Sequence, residues 1–186
     1  MAAPDPRRFL FLLSSARANG NAEQLARHAA SGVTATCDWL DLTALSLPLF
    51  ADPRPAPAAA PTGDLALVLA RITAATDLVF VAPVYWYALP APAKLLLDHW
   101  SGFLDAPDLG FARMIAGRTL WLITTRADPN PDVAVLPKAM MRQTAQWLTM
   151  PWGGALHGVA DLPGEIMQNA AWQMAPDFLQ GPSRKT

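Results

Sequence analysis

The chain alternates short, continuously apolar segments with segments whose apolar residues recur at helical spacing. Residues 7–13 contain an unbroken apolar run from Phe9 to Leu13, which is typical of a strand buried on both faces of a sheet. Residues 77–82 have the same character. The pattern predicts strands at 7–13, 33–40, 77–82, 118–125 and 152–159, of which the second alternates more and is expected nearer a sheet edge.

Helical spacing predicts helices between these strands, at 21–30, 65–75, 90–100, 133–150 and 165–180. The long fourth helix carries two apolar stripes. The main stripe is expected to be Val133, Leu136, Met140, Thr144, Trp147 and Leu148, and Met141 and Ala145 lie beside it. A two-sided apolar helix is typical both of a dimer interface and of ordinary core packing.

Five prolines make residues 47–63 a long connection, because proline removes backbone donors and disfavours helix in the residue before it. This segment is interpreted as a stiff spacer or as a functional loop.

Strands that alternate with helices predict a parallel sheet covered on both faces, an α/β fold. Such sheets bind ligands beyond the carboxyl ends of their strands, so the loops after the first, third and fourth strands are the expected functional positions. The sequence lacks both the G-x-G-x-x-G fingerprint and the G-x-x-x-x-G-K-[ST] loop. The dinucleotide-binding Rossmann and P-loop classes therefore lose their main support.

Composition narrows the range of possible protein classes further. The 186 residues predict one domain, 1–186, with a short N-terminal arm at 1–6 and a frayed tail at 181–186. With 14 basic and 15 acidic residues the net charge is −1, which disfavours a nucleic-acid partner and an electron carrier that docks by charge. One cysteine, Cys37, and three scattered histidines offer no metal-binding spacing. His28, His99 and His157 are interpreted as structural or surface residues.

No apolar stretch approaches the roughly 18 residues of a membrane helix, so no membrane partner is expected. The run that follows Arg7 and Arg8 imitates a secretory signal, but it has too few residues for a signal core of about 7–15. A cytoplasmic protein is expected.

Two loops carry candidate chemistry. The first, residues 14–22, leads into a helix N-terminus, where free N–H groups favour an anion and Ser15, Arg17 and Asn21 can add donors. Asn19 or Asn21 is equally compatible with a plain helix cap beside a turn glycine.

The second loop, residues 82–90, holds the consecutive aromatics Tyr85, Trp86 and Tyr87 at the end of a strand. They are suited to stacking on a planar ligand, although ordinary packing under a proline-rich loop is the alternative. The loop after the fourth strand, with Thr124, Thr125 and Arg126, says little by itself.

Together these segments resemble the flavodoxin-like NAD(P)H-dependent FMN reductases and quinone reductases. The first loop, from Ser14 to Asn21, is similar to their phosphate loop. The stronger match is Pro83-Val84-Tyr85-Trp86 followed by Pro90, Lys94, Leu95 and Asp98. A third segment includes Leu42, Leu45, Leu47, Pro48, Leu49, Phe50 and Asp52. The likeness covers residues 7–125 and extends more loosely to 159.

The resemblance implies a flavodoxin-like three-layer sandwich with a five-stranded parallel sheet in the order 2-1-3-4-5 and FMN at the switch point. It implies that the phosphate is held by Ser15, Arg17, Asn21 and Ala22. It further implies that the ring and ribityl chain lie along Pro83, Val84, Tyr85, Trp86 and Tyr87, with Thr124, Thr125 and Arg126 near the pyrimidine side. It also implies a homodimer whose partner helps to complete the site.

The chain departs from the family pattern at several positions. Ala22 replaces a hydroxyl residue, Ser14 stands where glycine is usual, and Arg126 with Ala127 replaces a glycine pair. The tyrosine and histidine that assist hydride transfer in quinone reductases have no clear counterpart, and His157 does not occupy their position.

The expected function is an FMN-dependent NAD(P)H oxidoreductase that passes electrons to a small planar acceptor, such as a quinone, a free flavin, or a nitro or azo compound. Arg126 is the candidate group for the charge of reduced flavin or for a phosphate of NAD(P)H; the alternative is a surface arginine paired with Asp128. The alternative functions are an FMN-binding electron carrier without NAD(P)H activity and a flavin-free interaction protein.

Overall fold

A computed structural model describes residues 6–181 of the chain. One parallel sheet contains β1 (Arg8–Leu13), β2 (Thr36–Asp41), β3 (Asp77–Pro83), β4 (Thr119–Arg126) and β5 (Trp152–Val159). The strands lie in the order β2-β1-β3-β4-β5, which confirms the predicted fold class and strand order. The predicted arm at 1–6 and tail at 181–186 fall, apart from residues 6 and 181, outside the described residues.

Helices cover both faces of the sheet. They are α1 (Asn21–Ala30), α2 (Gly63–Ala74), α3 (Ala91–Leu104), α4 (Phe111–Ile115), α5 (Val135–Trp147) and α6 (Ala170–Phe178). α1 and α6 pack on one face, and α2 to α5 pack on the other. Between residues 6 and 181, none of the helices has both the length and the apolar composition needed to cross a lipid bilayer.

The unbroken apolar runs arise because each strand serves two cores. In β1, Phe9 and Phe11 pack with α1 and α6, while Leu10 and Leu12 pack with the helices of the opposite face. Successive side chains of a strand point to opposite faces, so a strand covered on both faces has apolar residues at every position.

Several element predictions need correction at their boundaries or in kind, and one element was missed. β2 begins at Thr36 rather than at 33, and the short helix α4, which follows Gly110 at φ 57°, was not predicted. The predicted helix at 165–180 is wrong in its first part, where Glu165–Gln168 forms a 3-10 turn and α6 begins only at Ala170. Asn169 causes the break, because its side chain accepts a hydrogen bond from Ala171 N at 2.9 Å and caps α6.

The predicted main stripe of the fourth helix is wrong in part: Val133 and Leu148 are buried as expected, but other members of the stripe are not. The residues of α5 that face the sheet are Pro137, Met141 and Ala145, and the segment that follows adds Leu148. Leu136 and Trp147, which were expected to be buried, are exposed. Both stripes are apolar, so spacing could not decide between them, and the smaller residues on the buried side let the helix lie close to the sheet.

The proline-rich connection packs against α3. His99 Nε2 lies 2.7 Å from Pro48 O, and the rings of His99 and Phe50 meet edge to face. His99 therefore occupies a buried, structural position.

Asp77 anchors the amino end of the sheet. Its carboxylate accepts hydrogen bonds from Arg7 Nη2 at 2.6 Å, from Thr76 Oγ1 at 2.6 Å and from Trp121 Nε1 at 2.9 Å. Burial alone raises the pKa of Asp77, but these three donors outweigh burial and hold the pKa below its usual range. The charge is thus fully paired although the side chain is buried.

We expect Asp77→Ala to lower the free energy of unfolding by about 3 kcal/mol, because it leaves a guanidinium and an indole N–H without their buried partner. Urea denaturation at pH 7 measures the loss. Asp108→Ala, at an exposed position, is the control and should change stability by less than about 0.5 kcal/mol. An equal effect of the two variants would contradict the assigned role of Asp77.

Candidate functional site

A cleft of about 210 Å³ opens at the carboxyl edge of the sheet, between the segments that follow β1, β3, β4 and β5. Nine of the predicted site residues line it: Ser15, Arg17, Asn21, Ala22, Pro83, Val84, Tyr85, Thr125 and Arg126. Gly20, Ala127, Ala160 and Asp161 also line it. Trp86, Tyr87 and Thr124 do not.

The first loop leads into α1, whose uncapped N-terminus lies at this cleft. Ser15 Oγ accepts a hydrogen bond from Arg17 N at 3.1 Å, and Asn19 adopts a left-handed conformation with φ 52°. Gly20 is the N-cap residue of α1, and no side chain caps the first turn of that helix. The interpretation of Asn19 or Asn21 as a plain cap is therefore wrong, and the first N–H groups of α1 lack a side-chain acceptor.

Arg17 places a free positive charge beside this helix end. Its guanidinium is exposed and has no ion-pair or hydrogen-bond partner among residues 6–181. The nearest acidic side chain along the chain, Glu23, is bound instead by Arg27 at 2.7 Å and by Asn19 N at 2.7 Å. A helix N-terminus together with an unpaired arginine is an arrangement suited to an anion.

The side chains of Ser14 and Asn21 in this loop form hydrogen bonds with other segments of the protein. Ser14, which stands where the related pattern has glycine, is buried and donates its hydroxyl to Val81 O at 3.2 Å. The Asn21 side chain donates from Nδ2 to Leu162 O and accepts at Oδ1 from Gly164 N, both at 3.0 Å. Asn21 therefore ties the β5–α6 segment to α1, and its backbone N–H is the group left for the cleft.

The aromatic loop forms a tight turn whose tip is strained. Tyr85 and Ala88 exchange two backbone hydrogen bonds of 3.0 Å, and the two residues between them, Trp86 and Tyr87, have φ of 50° and 63°. Such turns normally use Asn-Gly, because the left-handed conformation destabilises other residues by about 1–2 kcal/mol each. Trp86 is 93% exposed, so packing does not explain it. Strain held without local packing is typical of a functional position.

A second, shallower groove of about 460 Å³ adjoins this turn. It is lined by Tyr87, Asn130, Asp132, Val133, Val135 and Leu136. Tyr87, Val135 and Leu136 are exposed, so the groove presents apolar surface to solvent.

The third loop is held by hydrogen bonds to its backbone carbonyl groups. Arg126 Nε donates to Asn130 O at 3.2 Å, and Val84 N donates to Thr125 O at 2.8 Å. Asp128 accepts from Asn130 N at 2.8 Å rather than from Arg126, so the predicted alternative of an Arg126–Asp128 pair is wrong. Arg126 thus keeps an unpaired charge at the cleft.

Thr124 faces away from the cleft. It is buried, and its Oγ1 lies 2.5 Å from Nδ1 of His157 on the neighbouring strand. Burial, together with the positive charges of Lys138 and Arg126, lowers the pKa of His157 to about 4. His157 is therefore neutral at pH 7 and supports the end of β4.

We expect this histidine to make the fold sensitive to acid. The unfolded state binds a proton near pH 6.5 and the folded state only near pH 4, so stability falls as the pH drops through this range. The loss should reach roughly 1–2 kcal/mol, less than the full pKa difference because the ring is partly solvated. Urea denaturation between pH 7 and pH 4 measures it. His157→Gln should show a shallower decline, and an identical slope would contradict the expectation.

Asp161 is the charged residue of the cleft lining that sequence reasoning missed. The prediction considered the loops after the first, third and fourth strands, whereas Asp161 follows β5. The available signal was that the carboxyl ends of all parallel strands meet at one edge of the sheet.

The chain matches the model of a protein family described as NADPH-dependent FMN reductase, over residues 7–151. It is also 26% identical over 108 residues to YwqN of Bacillus subtilis (strain 168), whose name describes an NAD(P)H-dependent FMN-containing oxidoreductase. That alignment covers 57% of this chain and 59% of the length of YwqN.

Solved structures with the same fold include a Bacillus subtilis protein described as Trp repressor binding protein. It has a TM-score of 0.74 and 21% identity, with 95% of this chain and 99% of that chain covered. An FMN-dependent NADH-azoreductase from Bacillus anthracis, solved in complex with FMN, has a TM-score of 0.65 and 11% identity, with 94% and 98% covered. At these identities the likeness establishes the fold.

Proposed function

The chain belongs to the NADPH-dependent FMN reductase family, and we propose that it is an FMN-dependent oxidoreductase that takes electrons from NADPH or NADH and reduces a small planar acceptor. The observation that carries the proposal is a cleft that combines an uncapped helix end with an unpaired arginine and is bordered at Tyr85 by a strained, exposed aromatic turn. Each of these features is unfavourable or unused in the protein alone, and a flavin phosphate next to a planar ring complements them together.

The first loop fits the phosphate of FMN. Arg17 would supply the charge, the Ser15 hydroxyl a donor, and the backbone N–H groups of Asn21 and Ala22 further donors at the positive end of α1. The cradle is narrow: a Cβ on Gly20 would lie 3.2 Å from Arg17 O. Ala22 adds no side-chain hydroxyl, so the anchor rests on the backbone, on Arg17 and on the hydroxyl of Ser15.

The size of the cleft supports an arrangement in which the phosphate lies inside it and the rest of the flavin lies at its mouth. About 210 Å³ is less than the roughly 300–1,000 Å³ of pockets that enclose a whole ligand. We infer that Pro83, Val84 and Tyr85 lie along the ribityl chain and the near side of the ring, and that Trp86 and Tyr87 offer stacking surface beyond it. Thr125 and Arg126, on the strand that pairs with Pro83, also line the cleft. Thr124 contributes indirectly, by fixing the end of β4 through His157.

FMN, when bound, supplies the hydride chemistry that no side chain of this chain can perform. The residues of the chain would position the flavin and stabilise charge. The Arg126 guanidinium is held at the cleft by the carbonyl of Asn130 and has no carboxylate partner among residues 6–181, so it can stabilise negative charge without being displaced from a salt bridge there. The same charge suits a phosphate of the nicotinamide nucleotide.

The groove beside Tyr87 supports a flat, apolar acceptor, such as a quinone, a free flavin, or a nitro or azo compound. Its exposed residues Tyr87, Val135 and Leu136 offer apolar contact with few polar groups that would require a specific partner.

We also propose that two copies of the chain associate through the exposed face of α5. Trp147 is 73% exposed beside a groove of about 290 Å³ that α3 and α5 form, with Leu97, Trp100 and Leu104 among its lining residues. The exposed residues of α5 begin at Val135, in the groove beside Tyr87. A partner seated on this face would therefore reach the mouth of the site.

The visible spectrum of the purified protein, before and after addition of FMN and then NADPH, tests the proposed function. We expect a bound-flavin spectrum, bleaching by NADPH, and turnover with a quinone faster than free FMN allows. A protein that binds FMN but is reduced no faster than free FMN would instead be an electron carrier. A protein that stays colourless after incubation with FMN would be a flavin-free interaction protein.

Substitution of Arg17 tests the phosphate anchor. We expect Arg17→Gln to raise the Kd of FMN about tenfold, the effect of losing one charged hydrogen-bond donor, and to leave the Kd of riboflavin unchanged. Fluorescence titration measures both constants. Arg113→Gln, which removes the same charge from the exposed surface of α4, is the control. Equal weakening of both flavins would contradict a phosphate contact.

Light scattering at micromolar concentration tests the dimer. We expect a dimer for the wild-type chain and a monomer for Trp147→Glu, because the charge would be buried in an apolar interface. Gln146→Glu adds the same charge one residue away, on a part of α5 that does not line the groove, and should remain dimeric. A monomeric wild-type chain would contradict the proposed dimer.

A further inference from the structure

A carboxylate lines the same cleft as the proposed phosphate anchor. Asp161 borders the cleft together with Ser15, Arg17 and Gly20. A free flavin phosphate carries about −1.5 to −2 charges at pH 7. A carboxylate in the wall of an anion site therefore repels the anion and weakens its binding.

The position of Asp161 is fixed by the surrounding backbone. Ala160 N donates to Arg126 O at 2.9 Å, which joins this segment to the third loop. Glu165 Oε2 then accepts from Asp161 N at 2.7 Å and from Leu162 N at 3.0 Å. These two backbone donors lower the pKa of Glu165.

Asn21 fixes the same segment from the other side. Its side chain bonds Leu162 O and Gly164 N, and Asn21 is also the first residue of α1. The segment that carries Asp161 is thus tied directly to the helix end proposed to hold the phosphate. A rearrangement that moved the backbone of Asp161 away from the cleft would break these hydrogen bonds.

The Asp161 carboxylate is not neutralised by a neighbour. Within the part of the chain that the structure describes, its side chain is exposed and has no ion-pair or hydrogen-bond partner, and Arg17 is not within salt-bridge distance. The cleft therefore combines the unpaired charges of Arg17 and Arg126 with one unpaired negative charge.

We propose that Asp161 determines how strongly the cleft prefers FMN over riboflavin. This inference rests on the proposed function. Arg17 and α1 attract the phosphate, and Asp161 repels it. Riboflavin has no phosphate, so Asp161 affects it little. The net preference for the phosphorylated flavin is consequently smaller than the helix end and the arginine alone would produce. For an exposed pair of like charges, with the phosphate close to a dianion, the repulsion amounts to about fivefold in affinity.

Titration of wild-type protein, Asp161→Asn and Asp161→Ala with FMN and with riboflavin tests this role. We expect both variants to lower the Kd of FMN about fivefold at low salt and to leave that of riboflavin unchanged. The gain should shrink as salt is raised, because screening weakens the repulsion. The alanine variant removes the charge without adding a donor. Asp108→Asn, an exposed aspartate distant in sequence from the cleft residues, should bind both flavins as wild type does.

The outcomes separate this inference from the proposed function. If the wild-type chain binds neither flavin, the proposed function fails and Asp161 has no such role. If it binds both, but the ratio of the two constants is the same in the Asp161 variants, the inference alone fails. Weaker FMN binding in the variants, or tighter binding in Asp161→Asn only, would also overturn it, since neither follows from removal of a repelling charge.

Discussion

The architecture depends on the pairing of β1 with two neighbours, β2 on one side and β3 on the other. The last bonds of this arrangement run from Ser14 N and Ser14 Oγ to Val81 O. Beyond them the chain continues toward α1 after β1 and toward the aromatic turn after β3, so the two segments separate and leave a crevice. Because both faces of the sheet are buried under helices, its carboxyl edge is where polar backbone groups remain available. The position of the candidate site therefore follows from the order of the strands rather than from any particular side chain.

Several local preferences are violated at this edge. α1 begins without a side-chain cap, and Asn19 in the loop before it has a positive φ. Trp86 and Tyr87 occupy conformations that glycine and asparagine usually adopt. The buried sheet and its two cores supply the stability that allows these exceptions. Exceptions that cluster at one edge of an otherwise regular fold are expected where a ligand provides the missing interactions.

Sequence patterns predicted those parts of the molecule that are decided locally. α1 and β5 have the predicted bounds, because a change of hydrophobic period marks both ends of each. The orientation of α5 was not predictable in this way, since its two apolar stripes differ in side-chain size and not in polarity. Nor could a pattern reveal that the Asn21 side chain binds Leu162 and Gly164, which lie more than 140 residues away in sequence. Nine of the twelve predicted site residues line one cleft because strand order brings their loops together.

The near-neutral composition conceals an uneven distribution of charge within the site. A net charge of −1 describes the whole chain, yet Arg17, Arg126 and Asp161 stand unpaired around a single cleft. At such short range the position of each charge matters more than their sum, since the interaction falls with distance and is screened beyond about 10 Å at 0.1 M salt. Net charge therefore does not describe the charges that a bound anion would meet in the cleft, which depend on which of these three side chains faces it.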